Sequence, residues 1–294
     1  MTTISQALPS YTETDHQTWR RFYQEFQNHS KLHHGIIHPY YRDHIDVLAS
    51  FAEGIPNLVD LNLLLAPIGW TAKHVDGYAP GWKIAKMIHE KTIPISSVIR
   101  SPDEVFFAHE PDLIHDVFGH IPCLFSPEYR KLLELWANRA AQLPIHEVDR
   151  TAFHLNKSIV RAEQDEMHGK HTNRDIETLK EVASSFTSYL AQQPSPLYLA
   201  DKAYFWIFEF GFIQQDNRPQ ILGAGLMTSM SEMNKIASGA YDTRQISFNN
   251  LMQHSQISEM QDSYLVSDSI DQFKKVIEQI KPREQGFVEE QLYG

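Results

Sequence analysis

His115 and His120 stand five positions apart around Asp116-Val-Phe-Gly119, and Glu110-Pro111-Asp112 comes just before them. Imidazole is the commonest metal ligand near neutral pH, so the pair is a candidate metal site. On an ideal helix, residues five apart point about 140° apart. The two rings then meet only if the helix ends between them. Gly119 tolerates the left-handed conformation that ends helices, and Pro122 resists a clean restart. The sequence therefore predicts a helix carrying His115, a glycine exit, and His120 folded back towards it. The zinc-protease pattern does not fit, because it needs histidines four apart with a glutamate after the first. A second stretch, Tyr204-Phe-Trp-Ile-Phe-Glu209-Phe-Gly-Phe212, sets one carboxylate in an apolar and aromatic run. An unpaired buried carboxylate is costly, and a metal cation is a suitable partner. Two histidines and one carboxylate form the facial triad of non-haem Fe(II) oxygenases, which keeps coordination positions open.

Taken in order, these stretches resemble the tetrahydropterin-dependent aromatic amino acid hydroxylases. That family carries Glu-Pro-Asp-x-x-His-Glu-x-x-Gly-His-x-Pro, then Tyr-x-x-x-x-Glu-Phe-Gly, then Gly-Ala-Gly-Leu. Here the motifs read Glu110-Pro111-Asp112-Leu-Ile-His115-Asp116-Val-Phe-Gly119-His120-Ile-Pro122, Tyr204-Phe-Trp-Ile-Phe-Glu209-Phe210-Gly211 and Gly223-Ala-Gly-Leu226. Weaker likeness runs from Tyr11 to Trp19, through Ile55-Pro-Asn-Leu58 and Gly69-Trp70, to about Tyr264. The resemblance implies Fe(II) held by His115, His120 and Glu209, a tetrahydropterin as second cofactor, and ring hydroxylation of an aromatic amino acid with O₂. Phenylalanine is the first substrate it implies, and tryptophan the next. Arg100, fifteen positions before His115, matches the arginine that grips the substrate carboxylate, with Asp112 orienting it. Thr228 and Ser229 fall where the family places hydroxyls near the amino acid, and Tyr204 where it has a tyrosine near iron. Val75, Gly77, Trp82, Ile84 and Asp116 fall along the implied pterin site.

Several residues depart from the family pattern. Asp116 stands in place of a glutamate and is one methylene shorter. Ile84 stands where a phenylalanine stacks on pterin, and an aliphatic side chain cannot supply that contact; Trp82 is the nearest aromatic replacement. Phe205 occupies a position that is tryptophan in phenylalanine hydroxylases and phenylalanine in tryptophan hydroxylases. Ala108-His109 replaces the usual Thr-Pro. The chain between His120 and Glu209 is longer than in the family, and Pro144–Pro194 reads as an insertion of two helices. These departures keep two alternatives open: a pterin-independent non-haem iron oxygenase of altered chemistry, and a non-catalytic metal- or partner-binding homologue.

The rest of the chain must position these groups. At 294 residues with 42% apolar content, it can bury a sizeable core. A mainly α fold is expected: a single helix-rich catalytic domain spanning 1–294 with a few short strands, and a helical insertion at 144–194. Helices are predicted from Asp15, from Pro39 through Phe51, over Leu58–Leu65 after the Asn57 cap, near Ile84–His89, and over Pro127–Leu143. Others are predicted over Arg150–Met167, Asn173–Gln192, Leu197–Phe210 and Ser229–Ser238, with a last one capped by Ser267 or Asp268 and ending at Ile280. Strands are expected over Trp70–Val75, Ile93–Ile99, Gln220–Gly223 and Tyr264–Val266, with a turn at Asp76-Gly77. Ile159 and Val160 mark the apolar face of the first inserted helix. Ile176, Leu179, Val182, Phe186 and Leu190 mark that of the second. Those faces predict that the insertion covers the active-site mouth or forms a subunit contact; no feature specifies an oligomeric state. His168-Gly-Lys-His171 reads as a solvated turn between the two helices.

The balance of 26 Lys+Arg against 37 Asp+Glu, net −11, argues against a nucleic-acid partner. No apolar run is long enough to span a membrane. The N-terminus lacks a basic-then-apolar leader, and the one cysteine, Cys123, suits a reducing compartment, so a cytoplasmic location is expected. Cys123 itself reads as a small buried filler beside the histidines.

Overall fold

The computed structural model describes residues 10–75, 79–108, 110–167, 173–215, 218–253 and 260–282. Asp76-Gly77, His109 and His168–His171 lie outside them. Helix α1 (Glu13–Leu32) starts with a capping box, in which Thr12 accepts from Asp15 N and Asp15 accepts from Thr12 N. Its buried stripe Trp19, Phe22 and Phe26 closes round Phe118, with ring centroids at 4.8, 4.9 and 5.2 Å. Fully burying a ring of this kind contributes about 1.5–3 kcal/mol, so α1 clamps the middle of the histidine motif.

The single helix expected from Pro39 to Phe51 is broken. Helix α2 (Pro39–Arg42) ends early, and Ile45–Phe51 tightens into 3₁₀ turns. Helix α3 (Leu58–Leu65) forms as expected behind the Asn57 capping box. Strands β1 (Thr71–Val75) and β2 (Thr92–Ser96) pair in parallel through helix α4 (Gly81–His89). The strand expected to reach Ile99 stops at Ser96, which pairs with Val75, the last residue of β1, and Asp116 Oδ2 accepts from Ser96 N at 2.6 Å.

The helix exit expected at Gly119 does not occur. His115–His120 is a π-helical segment that runs directly into α5 (Ile121–Leu124) and then α6 (Pro127–Ala140). Helices α7 (Glu147–Met167) and α8 (Asn173–Gln192) follow. Helix α9 (Pro196–Tyr204) passes into a second π segment, Phe205–Glu209. After β3 (Phe212–Gln215) and β4 (Arg218–Ile221) come α10 (Ala224–Thr228), α11 (Met230–Ala237), β5 (Asp242–Gln245), β6 (Ser263–Ser267) and α12 (Ile270–Glu278). The last helix is capped by Ser269, one residue beyond the expected pair. The second sheet has the order β4-β3-β6-β5, antiparallel only between β3 and β4.

Helices α7 and α8 pack on each other and on the body through Val148, Ala152, Leu190 and Tyr198, with Phe186 and Met252 against them. The face of α8 differs from the expected one at a single position: Val182 is 50% exposed, and Ala183 takes the inward place. Among the described residues no helix is long and apolar enough to cross a membrane.

Candidate metal and substrate site

The two π segments explain how the ligands meet. A π turn closes hydrogen bonds from i to i+5, so residues five apart stack on one face instead of diverging. The His115 and His120 rings lie with centroids 5.1 Å apart. The second segment carries the same signature, with Phe210 N donating to Phe205 O at 2.8 Å. The wider turn of the first leaves the Phe118 carbonyl open, and the buried Tyr41 hydroxyl donates to it. Gly119 serves close packing, not chain exit. A Cβ there would sit 2.7 Å from that of Ala224, so only glycine lets α10 lie against the histidine segment.

Glu209 bridges the two rings, its carboxylate oxygens 3.0 Å from His115 Nε2 and 3.2 Å from His120 Nε2. Burial alone would raise the Glu209 pKa, but the charges of His120 and His115 and the hydrogen bonds from both hold it well below the usual carboxylate range. Burial works against protonation of His115, yet the Glu209 charge draws it upward. Thr228 fixes the tautomer of His115. Its hydroxyl donates to Ala224 O at 2.8 Å, so Oγ1 must accept from His115 Nδ1–H at 3.2 Å. With Nδ1 committed to Thr228, Nε2 is the nitrogen turned to Glu209, and it is the one left to ligate a metal once its proton is lost, the arrangement of a metal-ligating histidine with a fixed second nitrogen.

Asp116 also lies close, with one oxygen within 4.8 Å of donor atoms on both histidines. Its other commitment, to Ser96 N, turns it towards β2, and Glu209 is the carboxylate in direct contact with both rings. Burial pushes the Asp116 carboxyl up to about 6 against the pull of His115 and His120. Three nitrogen and oxygen donors converging from two helices fit a 2-His-1-carboxylate metal centre.

Beside this cluster lies a buried ion pair. Arg100 donates to Asp112 from Nε at 3.1 Å and Nη2 at 2.8 Å, and both side chains are 2% exposed. Asp112 also accepts from Arg100 N at 2.7 Å and His115 N at 2.9 Å. Burial would raise its pKa, but the Arg100 charge and these hydrogen bonds hold it below the usual range. Arg100 Nη1 reaches Thr228 O at 3.4 Å, and the guanidinium lies 5.0 Å from the Phe22 ring.

One cavity of about 280 Å³ joins these groups. Of the residues expected from sequence, Val75, Trp82, Ile84, Arg100, His115, Asp116, His120, Tyr204, Glu209, Thr228 and Ser229 all line it. Asp112 sits behind Arg100, and Gly77 lies outside the described residues. Tyr204 packs against Trp136 with centroids 4.6 Å apart and lies 6.3 Å from the His120 ring. Ser229 caps α11 by accepting from Glu232 N at 3.2 Å.

Sequence reasoning missed Glu110, Asp149, Asp201 and Lys202, and Phe153 and Asn156 of α7, which also line the cavity. Burial, then the Asp112 and Glu104 charges, push Glu110 up to about 7. Burial and the Asp149 charge push Asp201 up to about 8 against Lys202, and burial draws Lys202 down to about 8. Asp201-Lys202 was visible as a charged pair in the apolar helix leading to Tyr204. No pattern in α7 signalled its cavity face.

The sequence profile of the family described as biopterin-dependent aromatic amino acid hydroxylase matches residues 4–135 and 195–285. The chain belongs to this hydroxylase family. The phenylalanine-4-hydroxylase of Caulobacter vibrioides is 30% identical over 135 residues, 46% of this chain and 45% of that protein. The one from Mesorhizobium japonicum is 22% identical over 231 residues, 78% of this chain and 65% of that protein. The first of these matches therefore spans under half the relative's length. The Chromobacterium violaceum phenylalanine hydroxylase with bound iron(III) and oxidised cofactor 7,8-dihydrobiopterin superposes with a TM-score of 0.67 at 22% identity, covering 94% of this chain and 82% of that one. The Legionella pneumophila enzyme gives a TM-score of 0.66 at 19% identity, covering 93% and 89%. These structures share the hydroxylase fold. The stretch that the family profile leaves unmatched, 136–194, holds α7 and α8.

Proposed function

We propose that this chain is a non-haem Fe(II), tetrahydropterin-dependent monooxygenase that hydroxylates the ring of an aromatic amino acid, phenylalanine first. The observation that carries the reading is the juxtaposition, in one cavity, of His115, His120 and Glu209 with the buried Arg100–Asp112 pair. Family membership and the phenylalanine hydroxylases among its relatives support it.

His115, His120 and Glu209 would hold the iron, with Thr228 keeping the proton of His115 on Nδ1. Iron and tetrahydropterin together supply the activation of O₂. Asp112 locks Arg100 in plane on two bonds, so its remaining N–H groups present a rigid fork suited to the substrate carboxylate. Ser229 and Thr228 flank that position. Tyr204 and Trp136 form an apolar wall beside the metal that keeps water from the reacting ring. Asp116 and the α4 residues Trp82 and Ile84, with Val75, border the pterin side.

The test is an amino-acid panel with Fe(II), tetrahydropterin and O₂, followed by product identification. Ring-hydroxylated phenylalanine formed only with pterin present is the expected result. Preferential hydroxylation of tryptophan would replace the substrate, with Phe205 in the cavity wall as its basis. Pterin-independent turnover, or none, would overturn the reading.

A further inference from the structure

Helix α7 lies in the stretch the family profile does not match, yet it faces the cavity. Phe153 and Asn156 line it together with Trp82 and Ile84 of α4. The Phe153 ring meets the Trp82 indole edge to face, with centroids 5.5 Å apart at 69°. Arg150, one turn earlier on α7, sets its guanidinium 5.9 Å from the same indole. The base of the helix is anchored. Asp149 accepts from the Ser195 hydroxyl, which caps α9, and from His146 N at 2.8 Å. The buried contacts of Val148 and Ala152 with Leu190 and Tyr198 complete that anchor. The inserted helix is thus a fixed wall of the cavity.

A second observation points to a ligand at this end. Asp201 Oδ1 is buried on the cavity lining without a hydrogen-bond partner among the described residues. It fills the space beside Gly81, where a Cβ would come within 2.0 Å of it. A buried polar atom left unpaired is unfavourable, and a bound molecule with an N–H or O–H group would satisfy it. The chemistry of this end is therefore two aromatic rings, an aliphatic Ile84 and a hydrogen-bonding carboxyl, which suits a flat heterocycle bearing ring N–H groups.

We propose that Phe153, carried by the inserted helix α7, contacts the pterin and with Trp82 supplies the aromatic surface that Ile84 does not. The inference rests on the pterin-dependent reading above. An α7 wall of this kind makes the insertion part of the cofactor site instead of an appendage.

The experiment is calorimetric titration of 7,8-dihydrobiopterin into the Co(II)-loaded full chain, comparing the parent with Phe153→Leu, Phe153→Tyr and Phe153→Leu combined with Ile84→Phe. Loss of one ring contact should weaken binding by about two- to tenfold in Phe153→Leu. Phe153→Tyr should bind like the parent, and the added Ile84→Phe should restore part of the loss. Equal affinity in the parent and Phe153→Leu overturns the inference and leaves the pterin reading standing. Equal weakening in Phe153→Leu and Phe153→Tyr also overturns it, since the effect is then one of packing. A parent chain that binds no dihydrobiopterin removes the pterin reading, and this inference with it.

Discussion

Truncating Asp112 to alanine should cost a large part of the stability of the fold. The carboxylate accepts four hydrogen bonds, from Arg100 N, Nε and Nη2 and from His115 N, at 2.7, 3.1, 2.8 and 2.9 Å. Both side chains of the pair are 2% exposed. Without Asp112, the guanidinium keeps, among the described residues, Thr228 O at 3.4 Å and the Phe22 ring at 5.0 Å. Neither supplies a full compensating charge. Leaving one partner of a buried ion pair behind costs about 3–5 kcal/mol. Domains are stable by only about 5–15 kcal/mol in total, so Asp112→Ala should fall near the edge of folding. Removing both charges behaves differently, because apolar replacement of a buried pair is often neutral. Arg100→Met combined with Asp112→Leu should therefore recover the part of the loss due to the stranded charge, but not the part due to Arg100 N and His115 N losing their acceptor, while abolishing the carboxylate grip. Urea unfolding of the metal-free chain, followed by far-UV circular dichroism, measures both. A loss below about 1 kcal/mol for Asp112→Ala, well under the range for a stranded buried charge, would refute the argument. So would a double variant no more stable than the single one.

Thr228→Val removes the acceptor for His115 Nδ1–H and should weaken metal binding by about 10–100-fold, whereas Thr228→Ser should not; chelator competition distinguishes them. Burial, then the Asp149 charge, push Asp201 up to about 8, so the folded chain keeps a proton that the unfolded chain releases at ordinary carboxylate pH. The folded state then binds more protons, and stability should fall as pH rises through that window towards about 8. Asp201→Asn should flatten this decline in urea unfolding measured across the window, and an unchanged slope would count against it. Replacing 144–194 with a Gly/Ser linker should raise the pterin KM, because Phe153 and Asn156 leave the cavity wall; steady-state kinetics with an unchanged KM would show the wall to be dispensable.

Helix positions were legible where local signals agreed. Asn57 with Asp60 forms a capping box, and α3 begins where that pattern places it. The ligand set was legible too, because a lone Glu209 in an aromatic run needs a counter-charge. The route by which the ligands meet was not. An extra residue in a helical turn leaves the apolar pattern almost unchanged, so neither π segment announces itself, and Gly119 looks like a helix stop. Its real constraint is the approach of Ala224, more than a hundred positions away. Strands β3 and β5 escaped notice because each is only four residues long and carries polar side chains at Gln214, Gln215, Asp242 and Arg244. The cavity face of α7 escaped for a related reason. Phe153 and Asn156 are partly exposed, and apolar periodicity reports only the side that is packed away.

The central claim is that His115, His120 and Glu209 together hold one metal ion. Titrating Co(II) into the chain, with calorimetry and visible absorption read in parallel, tests it directly. The parent should bind a single equivalent and develop a cobalt spectrum. His120→Ala and Glu209→Ala should each lose that tight binding while keeping the parent far-UV circular dichroism. Tight stoichiometric binding with an unchanged cobalt spectrum in either variant would contradict the claim.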